Sequence, residues 1–136
     1  MAVGLYTPAI LRAATELAAF GWDESLPLRG EARSRSCGST IAMALDTDDA
    51  GAIVRIGLKP HACAVGQAAA AVFARAAVGR DRAQIAAAHA ALHAWLGGEA
   101  PLPDWPGIDL IAPARDYPAR HGAILLAWDA ALAALS

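Results

Sequence analysis

The chain is poor in cysteine and in net charge, and it lacks any long uncharged apolar run. Only two cysteines occur among 136 residues, and a chain of this length can bury a core without disulfides. The net charge of -2 and the scattered arginines give no basic patch for nucleic acid. No stretch reaches the roughly 18 uncharged apolar residues that a transmembrane helix needs. These absences argue against a disulfide framework, a nucleic-acid-binding role and a membrane protein.

Two further absences narrow the class of protein. The N-terminus has no basic leader, and Glu16 falls where the apolar region of a signal peptide would run. We therefore expect a cytoplasmic protein whose two thiols are reduced. No nucleophile elbow, phosphate loop or dinucleotide-binding fingerprint is present. The sequence does not favour an enzyme with a familiar catalytic motif.

The spacing of apolar residues predicts four helices and about three strands. An irregular edge strand is expected at 26–36, and a hairpin at 40–58 whose second strand ends before Pro60. Five prolines within 99–119 predict an extended or turn-rich connection. The helices are expected at about 8–20, 63–78 and 82–96 and after Pro118.

This order of elements predicts an α+β fold. Strands that are segregated from helices form a small antiparallel sheet of about three strands, and the helices pack on it. High alanine content within the 57% apolar fraction implies closely packed helices with small side chains. We expect a single domain over residues 1–136.

The two cysteines occupy settings that favour a thiolate site. Cys37 lies in the segment Arg35-Ser36-Cys37-Gly38-Ser39-Thr40, just before the first strand of the hairpin. Cys63 opens the alanine-rich helix, where free N–H groups and the helix dipole stabilise negative charge. Both positions differ from an ordinary core cysteine.

With these motifs in place, the chain resembles the iron–sulfur cluster assembly scaffolds of the IscU/NifU type, and its proline-rich connector resembles the SufU branch. The resemblance covers nearly the whole chain. It is carried by Leu5-Tyr6, Cys37-Gly38-Ser39, Ala62-Cys63-Ala64-Val65-Gly66-Gln67-Ala68, Tyr117-Pro118-Ala119-Arg120 and Ile124-Leu125-Leu126-Ala127-Trp128.

The resemblance implies a pocket in which three cysteines and one aspartate hold a nascent [2Fe-2S] cluster or a zinc ion. Cys37 and Cys63 retain two of these positions. Ser39 stands in place of the aspartate, and an ungapped match puts Ala123 in place of the third cysteine. Thiolates are suitable ligands for either cargo, whereas an alanine methyl group is none and a neutral hydroxyl is a poor one.

Two thiolates complete neither a zinc site nor a [2Fe-2S] site, since each takes four ligands. His121 is our candidate for an additional metal ligand, because imidazole binds zinc and Rieske-type iron. It could instead be a solvated surface residue at the start of the last helix. His61 is a second candidate, and a cluster bridging two chains of a homodimer is a third arrangement.

The sequence leads to two hypotheses. The first is a scaffold or sulfur-relay protein, not an enzyme, that binds cargo through Cys37 and Cys63 or accepts persulfide sulfur. The resemblance implies a cysteine desulfurase as partner, together with cluster-receiving proteins, and Cys63 is the preferred acceptor. The second is a degenerate family member that acts as an interaction or regulatory protein without a cofactor. A Cys-His hydrolase using Cys63 and His121 is a remote alternative.

We expect the two histidines of the third helix and the four tryptophans to have structural roles, not functional ones. His89 and His93 are four residues apart and are expected to form a polar helix face. The four tryptophans are expected to anchor the core or the connector. They are Trp22, Trp95, Trp105 and Trp128.

Overall fold

A computed structural model of the chain describes residues 5–35 and 38–136. Cys37 and Ser36 lie outside the described residues, so the predictions that concern Cys37 are not addressed by the structure. Within the described part of the chain, no helix is long and apolar enough to span a membrane.

The strands form one antiparallel sheet in the order β1-β2-β3. They are β1 at Leu28–Arg33, β2 at Thr40–Thr47 and β3 at Ile53–His61. The hairpin prediction is confirmed, as is the edge position of β1. The turn between β2 and β3 is closed by the Asp48 side chain, which accepts hydrogen bonds from the backbone N–H groups of Ala50 and Ala52. Such aspartates commonly stabilise turns.

Within the described part of the chain there are four α-helices, in agreement with the prediction. Thr7 caps the first helix by accepting the N–H of Ile10, and a short 3-10 helix, Leu17–Phe20, continues it. Asp81 and Gln84 form a reciprocal capping box at the third. The helices are α1 at Pro8–Glu16, α2 at Ala64–Ala77, α3 at Arg82–Leu96 and α4 at His121–Leu135. The chain therefore has the predicted α+β fold.

The structure corrects the prediction that Pro60 ends β3, because the strand continues through His61. Pro60 pairs opposite Ile41 within the ladder. A proline has no N–H to donate, but β3 is an edge strand, and edge positions tolerate that loss.

The proline-rich connection is also more regular than predicted. It contains a 3-10 helix, Ile108–Asp116, with Pro113 inside it. The φ angle imposed by proline is compatible with a 3-10 helix. Three residues spaced by three, Ile108, Ile111 and Ala114, are buried, as expected where a helix has three residues per turn. The three-residue spacing of these buried positions was the signal in the sequence that could have predicted the 3-10 helix.

The core is built from one cluster of buried apolar side chains to which the sheet and all four helices contribute. Phe73 of α2 contacts the rings of Trp105 and Trp128 at centroid distances of 5.5 and 5.2 Å. Trp105 also donates its indole N–H to the carbonyl of Val72 at 3.0 Å. Trp95 is buried as well, whereas Trp22 is only partly buried. The anchoring role predicted for Trp95, Trp105 and Trp128 is thus confirmed.

The two histidines of α3 differ in their contacts. His93 is exposed, in agreement with the predicted polar face. His89 is partly buried, and its Nε2 lies 2.7 Å from Oδ1 of Asp129 on α4. This pair joins the two helices, a role that the spacing of the histidines within α3 did not indicate.

Candidate functional site

Cys63 lies at the start of α2 as the N-cap residue, with extended backbone angles. The chain reaches this position from β3, which ends two residues earlier at His61. The thiol is partly exposed, and its side chain makes no capping hydrogen bond to the helix. The first N–H groups of a helix have no intrahelical partners, and they favour negative charge nearby. This location agrees with the predicted setting of Cys63.

Ser39 faces this end of the helix from the segment before β2. Its side-chain oxygen accepts the backbone N–H of Cys63 at 3.4 Å, and the residue is only 4% exposed. The adjoining loop is closed by two backbone hydrogen bonds, from Ser34 to the carbonyl of Ser39 and from Gly38 to the carbonyl of Ser34. Gly38 has a φ angle of +71°, which favours glycine. Ser39 is therefore part of the support around Cys63.

These residues surround a hollow of about 430 Å³ that opens to solvent. Gln67 lies one helical turn after Cys63, and its Nε2 donates to the carbonyl of Ala62 at 2.8 Å. Sequence reasoning did not single out Gln67 as part of the site, although a spacing of four residues places it on the same helix face as Cys63. The hollow is lined by Gly38, Ser39, Pro60, His61, Cys63 and Gln67, among others.

Ala123, the predicted position of the lost third cysteine, lies close to this end of α2. It is fully buried in the first turn of α4. A Cβ atom added to Gly66 would lie 3.3 Å from the Cβ of Ala123 and 2.9 Å from the Cβ of Ala62. Helices α2 and α4 thus approach closely at Gly66 and Ala123, and the methyl group of Ala123 occupies the space between them.

The structure places the two candidate histidines differently. His61 is exposed and lines the hollow together with Cys63. His121 is not among the lining residues. Its Nε2 lies 2.6 Å from the carbonyl oxygen of Arg115, and because a carbonyl only accepts, Nε2 must donate and Nδ1 is the nitrogen left for a ligand. Metal binding by His121 stays a prediction.

The described side chains do not form a complete metal site. Among residues 5–35 and 38–136, no three His, Cys, Asp or Glu side chains are grouped so that they could hold a metal ion. Cys63 is the cysteine that this part of the chain contributes. What the site offers chemically is one partly exposed thiol at a helix start, beside an imidazole and an amide.

The fold is shared with solved structures. A nitrogen-fixing NifU-like protein (N-terminal) from Brucella abortus is 30% identical, with a TM-score of 0.87, over 96% of this chain and 92% of that one. A protein from Fervidobacterium islandicum AW-1, assigned as an iron-sulfur cluster assembly scaffold protein for the SUF system, is 22% identical, with a TM-score of 0.86, over 97% of each chain. No protein-family model and no curated protein matches the chain.

Proposed function

The chain belongs to the NifU-like family, and we propose that it acts in iron–sulfur cluster assembly as a scaffold-like protein. The resemblance to the IscU/NifU type, predicted from the motifs, is confirmed by the Brucella relative. The SUF-system structure has the same fold, and with the proline-rich connector it supports our assignment to the SufU branch. We assign residues 1–136 to one IscU/NifU-like domain.

The observation that carries this proposal is the position of Cys63. Its thiol is partly exposed at the start of α2 and lines a solvent-open hollow. Gly38, the sequence neighbour of Cys37, lines the same hollow. A protein that takes up and passes on sulfur or a cluster needs a thiolate that a partner can reach, and this location provides one.

A [2Fe-2S] cluster or a zinc ion would be cargo at this site, and either takes four ligands. The described residues supply too few: no group of three ligating side chains is found within 5–35 and 38–136, and Ala123 carries no donor. We therefore propose that Cys37 and Cys63 contribute two thiolates. The remaining ligands would come from His121, from a second copy of the chain or from a partner protein.

Sulfur acceptance makes fewer demands on the site than cargo binding does. In the proposed step, the Cys63 thiolate attacks the terminal sulfur of a persulfide on a cysteine desulfurase. A new S–S bond forms on Cys63 while the donor's S–S bond breaks, and the donor cysteine leaves as a thiolate. The step needs no external oxidant or reductant. The protein is then a stoichiometric acceptor that hands sulfur or a cluster to receiving proteins, and it is not an enzyme.

Mass spectrometry of the intact and digested protein tests this step. After incubation with a cysteine desulfurase and cysteine, we expect the mass of one additional sulfur atom on the peptide that contains Cys63. The Cys63→Ala variant should lose this addition, and Cys37→Ala should retain it as the matched control. Sulfur that persists on Cys63→Ala but disappears from Cys37→Ala would reject Cys63 as the acceptor.

The degenerate alternative, an interaction protein without cofactor or cargo, is favoured by one observation. Ala123 is fully buried against the Gly66 region, so position 123 offers no ligand. Anaerobic purification followed by assays of iron, zinc and acid-labile sulfide separates the two functions. Wild-type protein that holds no more metal than the Cys37→Ala/Cys63→Ala variant, after iron and sulfide are supplied, would reject cargo binding. In that case, only the mass measurement would support sulfur acceptance by Cys63.

A further inference from the structure

The face of the sheet that points away from α4 carries a hollow of about 510 Å³. Helix α4 packs on the opposite face, where Gly30 approaches its backbone. The outer face is partly covered by the segment before β1, because Gly57 lies against the backbone of residues 21–23. An indole ring, three charged side chains and two small residues line the hollow. They are Trp22, Arg29, Gly30, Glu31, Ala42 and Lys59.

Trp22 is held on this outer face by charged neighbours. Its indole N–H donates to Oε1 of Glu24 at 2.7 Å, and Arg29 pairs with Oε2 of the same carboxylate at 3.0 Å. The guanidinium of Arg29 lies 5.6 Å from the centroid of the indole ring, and the ammonium of Lys59 lies 4.8 Å from it. Cations at such distances are attracted to aromatic rings. Tryptophan and arginine are also the residues that most often dominate the binding energy of protein interfaces.

One row across the sheet carries opposite charges on its two sides. The strand register places Ala42 between Glu31 on β1 and Lys59 on β3. Neighbouring strands are about 4.8 Å apart, so the Cα atoms of Glu31 and Lys59 are separated by roughly 10 Å. Both residues are exposed, and neither forms a salt bridge with another described residue. A partner that neutralises this row must present a cation to Glu31 and an anion to Lys59.

A second copy of the chain carries these two charges at the required spacing. A two-fold axis that runs along β2, between two facing sheets, places each Glu31 opposite Lys59 of the partner subunit. The same contact then forms twice, as in any isologous interface. An axis in the sheet plane but perpendicular to the strands would place like charges opposite each other. The charges therefore favour the axis along β2.

The neighbouring row is consistent with the same axis. It runs from Arg29 on β1 to Gly57 on β3, and Trp22 lies against Gly57. The axis along β2 brings the side of one copy that carries Arg29 opposite the side of the other that carries Trp22, and a guanidinium attracts an indole ring. The row on the other side of Glu31 places Arg33 opposite His61 and adds no attraction.

We propose that the outer face of the sheet is the interface of a homodimer, with reciprocal contacts between Glu31 and Lys59 at its centre. The inference goes beyond the proposed function and does not depend on sulfur transfer to Cys63. Exposed charge pairs contribute modestly to binding and are screened by salt. The dimer should therefore be reversible and should weaken as the salt concentration rises.

Sedimentation equilibrium of the full chain tests the interface by charge reversal. A reductant and a chelator exclude disulfide-linked and metal-bridged dimers. We expect the wild-type protein to dimerise reversibly below about 1 mM. Glu31→Lys and Lys59→Glu should each weaken this association at least about tenfold, because each change creates two like-charge contacts. Glu99→Lys, the matched control, makes the same charge change at an exposed residue after α3 and should leave the association unchanged.

Two further measurements are specific to the reciprocal contact. The double variant Glu31→Lys/Lys59→Glu exchanges the two charges and should recover the association that each single variant loses. A mixture of the Glu31→Lys protein and the Lys59→Glu protein should form heterodimers, because every charge of one then opposes an opposite charge of the other. Native mass spectrometry with one of the two proteins labelled with ¹⁵N detects these heterodimers.

Wild-type protein that is monomeric at about 1 mM would overturn the proposal. A dimer that Glu31→Lys and Glu99→Lys affect equally would overturn it as well, since the interface would then lie elsewhere. Failure of both the double variant and the mixture to associate would show that Glu31 and Lys59 are not reciprocal partners. Each of these results is independent of whether Cys63 accepts sulfur.

Discussion

The backbone N–H of Cys63 donates to the hydroxyl oxygen of Ser39 at 3.4 Å. This contact joins the start of α2 to the segment that enters β2. The resemblance predicts an aspartate ligand at position 39. The chain has the neutral hydroxyl of Ser39 there, and this hydroxyl accepts a hydrogen bond from the backbone of Cys63. Ser39 thus makes a structural contact at the position where the resemblance predicts a charged ligand.

Removing the hydroxyl of Ser39 should destabilise this corner of the fold. Ser39→Ala removes the hydroxyl that accepts the partly buried N–H of Cys63, and we expect the free energy of unfolding to fall by about 1 kcal/mol. Urea denaturation measures the change. Ser136→Ala removes an exposed hydroxyl at the C-terminus and should have a negligible effect. Equal stability of the two variants would show that the contact contributes nothing.

Adding the two ligands that the resemblance predicts should increase metal binding. Ser39→Asp with Ala123→Cys adds a carboxylate and a thiolate at positions near Cys63. Zinc affinity, measured by competition with a chromophoric chelator, should rise at least about tenfold, since even outer-shell partners have effects of that size.

The matched control for this reconstruction replaces Ala127 instead of Ala123. Ala127 is also buried and lies one turn further along α4. Ser39→Asp with Ala127→Cys should therefore bind zinc no better than Ser39→Asp alone. If the Ala123→Cys protein behaves in the same way, the ungapped placement of the third ligand at Ala123 is wrong.

The contact between β1 and α4 depends on a glycine. A Cβ atom on Gly30 would collide with the backbone of Ala130 and Ala134, so Gly30→Ala should lower the free energy of unfolding by about 3 kcal/mol. Gly21→Ala is the control, because nothing lies within 4 Å of its added Cβ and its φ angle is -61°. Thermal or urea unfolding that does not distinguish the variants would contradict the close approach.

The pH dependence of one partly exposed carboxylate follows from its hydrogen bonds. The side chain and backbone N–H of Ser25 lower the pKa of Asp23, with a further contribution from Arg55. A lowered folded-state pKa stabilises the fold above the unfolded-state pKa, and the effect is lost as the pH falls through the folded-state pKa. NMR titration of Ser25→Ala should give a higher Asp23 pKa than wild type. Ser25→Thr keeps a hydroxyl and should stay close to the wild-type value.

Most of the secondary structure could be predicted from local sequence patterns, because the residues that form each pattern are close together in the chain. The hairpin and the four helices follow from apolar spacing, and the structure adds the contacts of the turn residue Asp48 and the cap residue Asp81. The same reasoning was wrong at Pro60, because a proline's effect on a strand depends on which edge faces a neighbour. It also gave too little weight to the three-residue spacing around Pro113.

The sequence by itself determined the α+β fold, the family resemblance and the placement of Cys63 at a helix start. The order of the motifs and the helix boundaries could be predicted because each depends on residues that are neighbours in the chain. Tertiary structure decided which distant residues meet. It brought Ser39 to the backbone of Cys63 and Ala123 to Gly66, and it bound His121 to the carbonyl of Arg115. Such contacts depend on how helices and strands pack, which no local spacing specifies.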